Sequence, residues 1–419
     1  MKRACLLALT AVIANAQTGM RDRYFTRYPF EKWLEDGERA QLRWSAKVDP
    51  PRLTAHQRLS ARIEIGVDAK EIQKRRGRGE IVTLVQIEDS AGRRWRTHNT
   101  FRLTAIPAGA KAHSLTYTQE LFILPGDYKF SMATCDSATG EYSFTQRTLH
   151  VNALRGDPLP AAWGDLQPVE FVQPFGTPDF WFQPYVRGRL HLPLPTRLPV
   201  HVDLVMNMTP SERASGSLWT FRRNMSVLVP ALKLLAGMEL SQGTLDVALL
   251  DLTRRKIWEQ KNARGLDWNR MRAPFADSNP GIIDVQSLAA KAQMTQFFWD
   301  RVLERLKPDP ESPDPASDAL RVVIVLSAPV FLEHQYKVEP ASVPKDAGRR
   351  VFYLRYRPAP APRPPFEVFS QATRPPAAAM PNDDLEHTLK SLDARVYNAI
   401  SPEEFRRALS NVMAEVGKM

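Results

Sequence analysis

LPVHVDLVMNMTPSERASG, from Leu198 to Gly216, decides how the second half of this chain is read. Val200 to Met206 is an apolar run of strand length, interrupted only by His201 and Asp203, and it ends in a Ser/Thr-rich polar loop. Beyond the loop, Leu218, Phe221, Met225, Leu228, Leu232 and Leu235 fall three and four apart, the single apolar stripe of an amphipathic helix that Pro230 should kink. Strand, polar loop and helix in that order open a doubly wound α/β unit, and the loop lies where such units bind ligands.

Working forward, TLDVALLDL (244–252) and RRKIWEQ (254–260) are separated by a single residue. So short a gap demands a hairpin, which makes the second run an antiparallel edge strand. A loop through Asn279-Pro280-Gly281 leads to a helix over 284–306, and ALRVVIVLSA (319–328) and RRVFYLRY (349–356) read as buried strands. Asp384 to Leu392 reads as a helix and ARVYNA as a short last strand. The closing helix carries its own start signal: Ser401 as cap, Pro402 at the first position and Glu404 completing a capping box. This alternation predicts a mostly parallel sheet wrapped by helices over 198–419.

Working backward, the texture changes. Residues 45–153 alternate with period two in ARIEIGVD, GEIVTLVQIED, RRWRTHNTF, HSLTYTQELFI, DYKFSMATCD and YSFTQRTLHV. Turn chemistry at Asp89–Gly92, Pro125–Asp127 and Ser137–Gly140 separates these runs, which predicts an immunoglobulin-like β-sandwich. Lys74-Arg75-Arg76-Gly77-Arg78 between two strands reads as a solvated loop tip. Residues 154–197 form a connector rich in proline and aromatic residues, too apolar to be a flexible linker. In the extension at 17–44, Phe30, Trp33 and Leu34 sit at helical spacing before Gly37, as in a short docking helix. Residues 1–16 have the form of a signal peptide: Lys2 and Arg3, an apolar Cys5–Ile13, then Ala14-Asn15-Ala16. Export to the periplasm or the extracellular space is therefore expected, with no transmembrane segment.

The chain has two cysteines, and removal of residues 1–16 leaves only Cys135, so no intrachain disulfide is expected. Loss of Lys2 and Arg3 takes the net charge from +11 to +9. In an exported protein such an excess meets anionic envelope polymers, and nucleic acid is not an expected partner.

The order of elements after Leu198 resembles the von Willebrand factor type A domain, and with the preceding β-rich region the chain resembles bacterial exported proteins related to that family. The resemblance implies a metal site made of an Asp-x-Ser-x-Ser motif after the first strand, a later Thr, and the Asp of a Thr-Asp-Gly step. In this chain the first motif reads Asn207-Met208-Thr209-Pro210-Ser211, Ile282 stands near the expected Thr, and the last step reads Ser327-Ala328-Pro329. Two hydroxyls survive and every carboxylate is gone, so a hard divalent cation has no charged oxygen to offset its dehydration. No metal and no cofactor are expected there.

Motifs of catalysis are missing as well. The eight histidines fall in no ligand spacing, and there is no GxSxG, Walker or GxGxxG motif. His201, alternating with valines, reads as structural. The expectation is an exported, non-catalytic module that binds a partner protein without metal, through a loop carrying Asn207, Thr209, Ser211, Arg213, Ser215 and Ser217. The proline-rich stretch 358–381 leaves the same sheet edge as that loop, and its reading is open between a cover for the loop, a docking surface and a mere spacer. Two alternatives stand beside this: an envelope hydrolase with a dispersed site near 160–190, and a basic scaffold for envelope polysaccharide.

Overall fold

The computed structural model describes residues 23–106, 114–172, 186–211, 217–278, 293–307, 320–332, 348–357 and 383–419. It divides into two compact units, one drawn from Met1–Arg52, Arg58–Asp157 and Gln167–Gln173, the other from Leu53–Gln57, Pro158–Leu166 and Pro174–Met419.

In the first unit, the period-two runs form two sheets. One has the order β1 (Arg39–Ala40), β9 (Tyr142–Val151), β8 (Gly126–Asp136), β5 (Glu80–Asp89), β6 (Arg94–Arg102). The other has the order β10 (Val169–Phe171), β7 (Leu115–Ile123), β4 (Leu59–Val67), β2 (Trp44–Val48), with β3 (Arg52–Leu53) beside β4. Neighbours along both orders run antiparallel. Both faces of β5 are covered. On one, helix α1 (Phe30–Asp36) buries Phe30 and Trp33 against Val82, Leu84, Cys135 and Phe144, with Trp33 stacked on Tyr142 at 4.4 Å. On the other, Ile81 meets Val67 of β4, Ile72 and Leu103.

The basic run at 74–78 is corrected by the structure. Residues Ala69–Arg75 form helix α2, capped by Asp68, and Arg75 is only 4% exposed. Its guanidinium reaches Glu71, Glu141 and, at 3.2 Å, Asp136. The basic run reads as a solvated tip in sequence because Asp136 and Glu141, which bury Arg75 together with Glu71 from its own helix, lie more than 60 positions further along the chain.

The second unit holds a six-stranded sheet in the order β15 (Lys256–Gln260), β14 (Gly243–Asp251), β12 (Val200–Asn207), β16 (Leu320–Ser327), β17 (Arg349–Tyr356), β18 (Arg395–Ala399). A parallel pair, β11 (Pro193–Leu194) and β13 (Glu239–Leu240), lies apart from it. Edge strand β15 is antiparallel to β14, as the short gap requires, and the other pairings are parallel. The described helices are α3 (Ser217–Leu235), α4 (Trp268–Asp277), α5 (Met294–Leu306), α6 (Asp384–Leu389) and α7 (Pro402–Gly417). Val205, Ala248, Val323, Val325, Val351 and Tyr353 line one sheet face and pack on Phe298 and Val302 of α5 and Leu385 and Leu389 of α6. Helix α4 occupies a stretch read as loop. Asp267 caps it, accepting from the Arg270 N–H, and Pro274 inside it masks the helical spacing of Met271 and Phe275.

The fold class expected from sequence, a doubly wound and mostly parallel α/β sheet behind an immunoglobulin-like sandwich, is therefore corrected. Strand outweighs helix among the described residues, antiparallel sheets make up the first unit, and the six-stranded sheet is mixed. The described residues are mostly β. The strand–helix alternation after Leu198 covers only the second unit, while the long strands of the first pair antiparallel. Val169–Phe171, within the expected connector, adds to β7 as a strand.

Candidate functional site

At the carboxyl end of β12 the side chains named from sequence turn inward. Asn207 is 1% exposed, and its amide donates to the Ser327 hydroxyl at 3.0 Å and to the Thr209 carbonyl at 3.2 Å. Its Oδ1 accepts from the Thr209 N–H. The Thr209 hydroxyl accepts from the Leu252 N–H at 2.7 Å, tying β12 to the end of β14. Ser211 donates to the Phe331 carbonyl and accepts from the Phe331 N–H, which ties the loop to the chain beyond β16. Arg213 and Ser215 lie outside the described residues, as do Asn279–Ile282 and 358–381, and Ser217 is described only as the start of α3.

Carboxylates do stand at this edge, brought from elements the sequence does not place together. Asp383 caps α6 and accepts from the Glu386 N–H, the Val330 N–H and the buried Tyr353 hydroxyl, the last at 2.7 Å. Burial raises its pKa, against those three donors and the charge of Arg355. Asp384 accepts from the Leu332 N–H, Asp251 holds Arg254 at 2.8 Å, and buried Arg355 binds Glu386 and Asn398. Each of these acids is committed to protein donors.

A second cluster lies nearer the amino ends of the strands. The β12–β14 register sets His201 opposite Thr244 and Asp203 opposite Asp246, all on one sheet face. His201 Nε2 is 3.2 Å from Asp203 Oδ2 and 3.9 Å from Asp246 Oδ2, and one ligand atom from each residue fits within 4.8 Å of the others. The opposite ring nitrogen, Nδ1, contacts the Thr244 hydroxyl at 2.6 Å. Asp246 Oδ1 accepts from the Asn262 N–H at 2.8 Å. Asp203 Oδ1 faces Nε of Arg305 at 3.7 Å, and Arg305 also pairs with Glu259 of β15. The hydrogen bond to Asp203 raises the His201 pKa against the opposing effect of burial, with smaller contributions from both carboxylates and, in the other direction, Arg321. Beside the cluster a cleft of about 500 Å³ is lined by Arg189, Met238, Gly243, Thr244, Asn262 and Arg264.

This second cluster was not legible in the sequence. His201 and Asp203 show their shared face by period two, but Asp246 joins them only through strand register. The chemistry is that of a mixed nitrogen and oxygen ligand set. Hydroxyl, imidazole and carboxylate also stand in series, as around an activated nucleophile, with Asp246 as an added second acid.

No protein-family model matches the chain, and no curated protein matches it. Among solved structures, the putative ApaA protein from Bordetella pertussis is 13% identical, covers 27% of this chain and 97% of its own, and has a TM-score of 0.18. A glycosyl hydrolase family 2 member from Bacteroides cellulosilyticus is 8% identical over 74% of this chain and 41% of its own, also with a TM-score of 0.18. Among the described residues, no helix is long and apolar enough to cross a membrane.

Proposed function

We propose that the chain is an exported, non-catalytic interaction module that grips a partner protein through the loops at the carboxyl edge of its six-stranded sheet, without a metal ion. The observation supporting this reading is the aim of the Asn207 amide. Its N–H groups are spent on Ser327 and Thr209 and its oxygen on the Thr209 N–H, so a neutral, internally bonded amide stands where a cation would need an acidic oxygen. The neighbouring acids accept from protein donors, Asp251 from a cationic one, which leaves the edge braced by its own hydrogen bonds. A pre-formed edge of this kind suits a partner that meets its partly exposed rim at Pro210, Ser211 and Phe331, together with the loop that carries Arg213 and Ser215.

The test is a crosslinking pull-down from envelope extract with the mature chain and with an Arg213→Glu, Ser215→Trp double variant. The expected result is one partner recovered equally in EDTA and in Mg²⁺ or Ca²⁺, and lost with the double variant. Recovery that depends on either cation, or that ignores the loop variant, overturns the reading.

A further inference from the structure

We propose that His201, Asp203 and Asp246 form a site for a divalent first-row metal ion of the zinc type, on a different part of the sheet from the edge loops. Zinc bonds to imidazole nitrogen and carboxylate oxygen are about 2.0–2.2 Å long, so the ligand atoms of a tetrahedral site stand roughly 3.3–3.6 Å apart. His201 Nε2 is already 3.2 Å from Asp203 Oδ2 and 3.9 Å from Asp246 Oδ2, and the whole set lies within 4.8 Å. Small side-chain rotations close the remaining gap.

What separates this set from a chance grouping of charges is how its non-ligating atoms are held. His201 Nδ1 is hydrogen-bonded to Thr244 and Asp246 Oδ1 to the Asn262 N–H, while Asp203 Oδ1 has only the charge of Arg305 at 3.7 Å beside it. Outer partners of this kind orient metal ligands, and an Nδ1 proton donated to the Thr244 hydroxyl frees Nε2 to bind an ion once the ion displaces the proton that Nε2 shares with Asp203. Arg305 does not take the ion's place, because it meets the far oxygen of Asp203 and is itself paired with Glu259. The ligands come from two adjacent strands in direct register, so little conformational freedom is lost when an ion binds. Thr244 and Asn262 belong both to the outer partners and to the wall of the cleft, and the partly exposed His201 and Asp246 give solvent access to the set. A ligand set with one imidazole favours zinc-type ions over Mg²⁺ or Ca²⁺, which take oxygen.

Zn²⁺ titration calorimetry on the untagged, chelator-treated chain tests this, with Co²⁺ absorption as a second probe. One equivalent is expected to bind, with the visible bands of a low-coordinate Co²⁺ centre and a higher melting temperature in Zn²⁺. Thr244→Val should weaken binding roughly 10- to 100-fold, as the loss of an outer partner does, and His201→Gln or Asp246→Asn should weaken it more. Asp203 is the most buried ligand, so the partly exposed His201 and Asp246 carry the test, each variant checked for a cooperative melt. No stoichiometric binding by the unmodified chain, or equal binding by folded Asp246→Asn, overturns the proposal. Partner capture by Asp246→Asn reports on the edge loops separately.

Discussion

Arg75 shows how much one side chain can carry in this protein. Its guanidinium is buried among Glu71, Asp136 and Glu141, and hydrogen bonds to Glu141 and Glu71 hold its pKa above the ordinary value although burial opposes them. Removing it strands Asp136, which is 1% exposed, as a buried charge without its cation. Arg75→Ala should therefore cost about 3–5 kcal/mol, read as a lower urea midpoint with an unchanged slope. Tyr353 does similar work for Asp383. Because burial raises the pKa of Asp383, the unfolded chain loses this proton first as pH rises. Stability from this group is thus present at acid pH and falls as pH climbs from the unfolded carboxylate value through the raised folded one. Tyr353→Phe removes a donor that favours the ionised acid, so its cost of about 1–3 kcal/mol should be larger at neutral than at mildly acidic pH. Urea melts at the two pH values check this, and an equal loss at both contradicts it.

Among the elements, strand β14 depends on its first residue. Gly243 has φ +119°, and a Cβ there would lie 1.8 Å from the Val200 carbonyl oxygen. Only glycine lets the amino ends of β12 and β14 close, which sets the register of His201 against Thr244. Gly243→Ala should destabilise the fold by more than about 2 kcal/mol and weaken Zn²⁺ binding as well. Helix α7 is held by chemistry visible in its sequence. Ser401 accepts from the Glu404 N–H at 3.2 Å, while Glu404 reaches back to the Ile400 N–H, one residue before the position a standard box uses. Ser401→Ala should cost about 1 kcal/mol in a denaturant melt, and Ser401→Asp much less.

Across the whole molecule, two units with separate cores make a single unfolding transition a poor description. Cys135 offers a probe confined to the first unit. It is 1% exposed, and burial pushes its thiol up to about 12, so it should resist alkylation and disulfide exchange in the native chain. In the chain without residues 1–16, which carry Cys5, labelling should appear only with unfolding of the first unit, and its denaturant midpoint should differ from the one reported by Zn²⁺ release from the second. Rapid labelling of the native chain would contradict this placement.

Local physics was legible in the residues themselves. Period two marked the strands on either side of Asp89–Gly92, a one-residue gap forced the hairpin of β14 and β15, and Ser401-Pro402-Glu403-Glu404 marked a helix start, because each depends on neighbours within a few positions. Tertiary structure decided the rest. Arg75 became a buried hub rather than a surface tip, Asn207 turned its amide inward, and the balance of the described residues fell to β. Asp136 and Glu141 at Arg75, and the pairing of Asp203 with Asp246, join residues about 40 to 70 positions apart, and only the packing of distant elements and the register of their strands bring such groups within bonding distance.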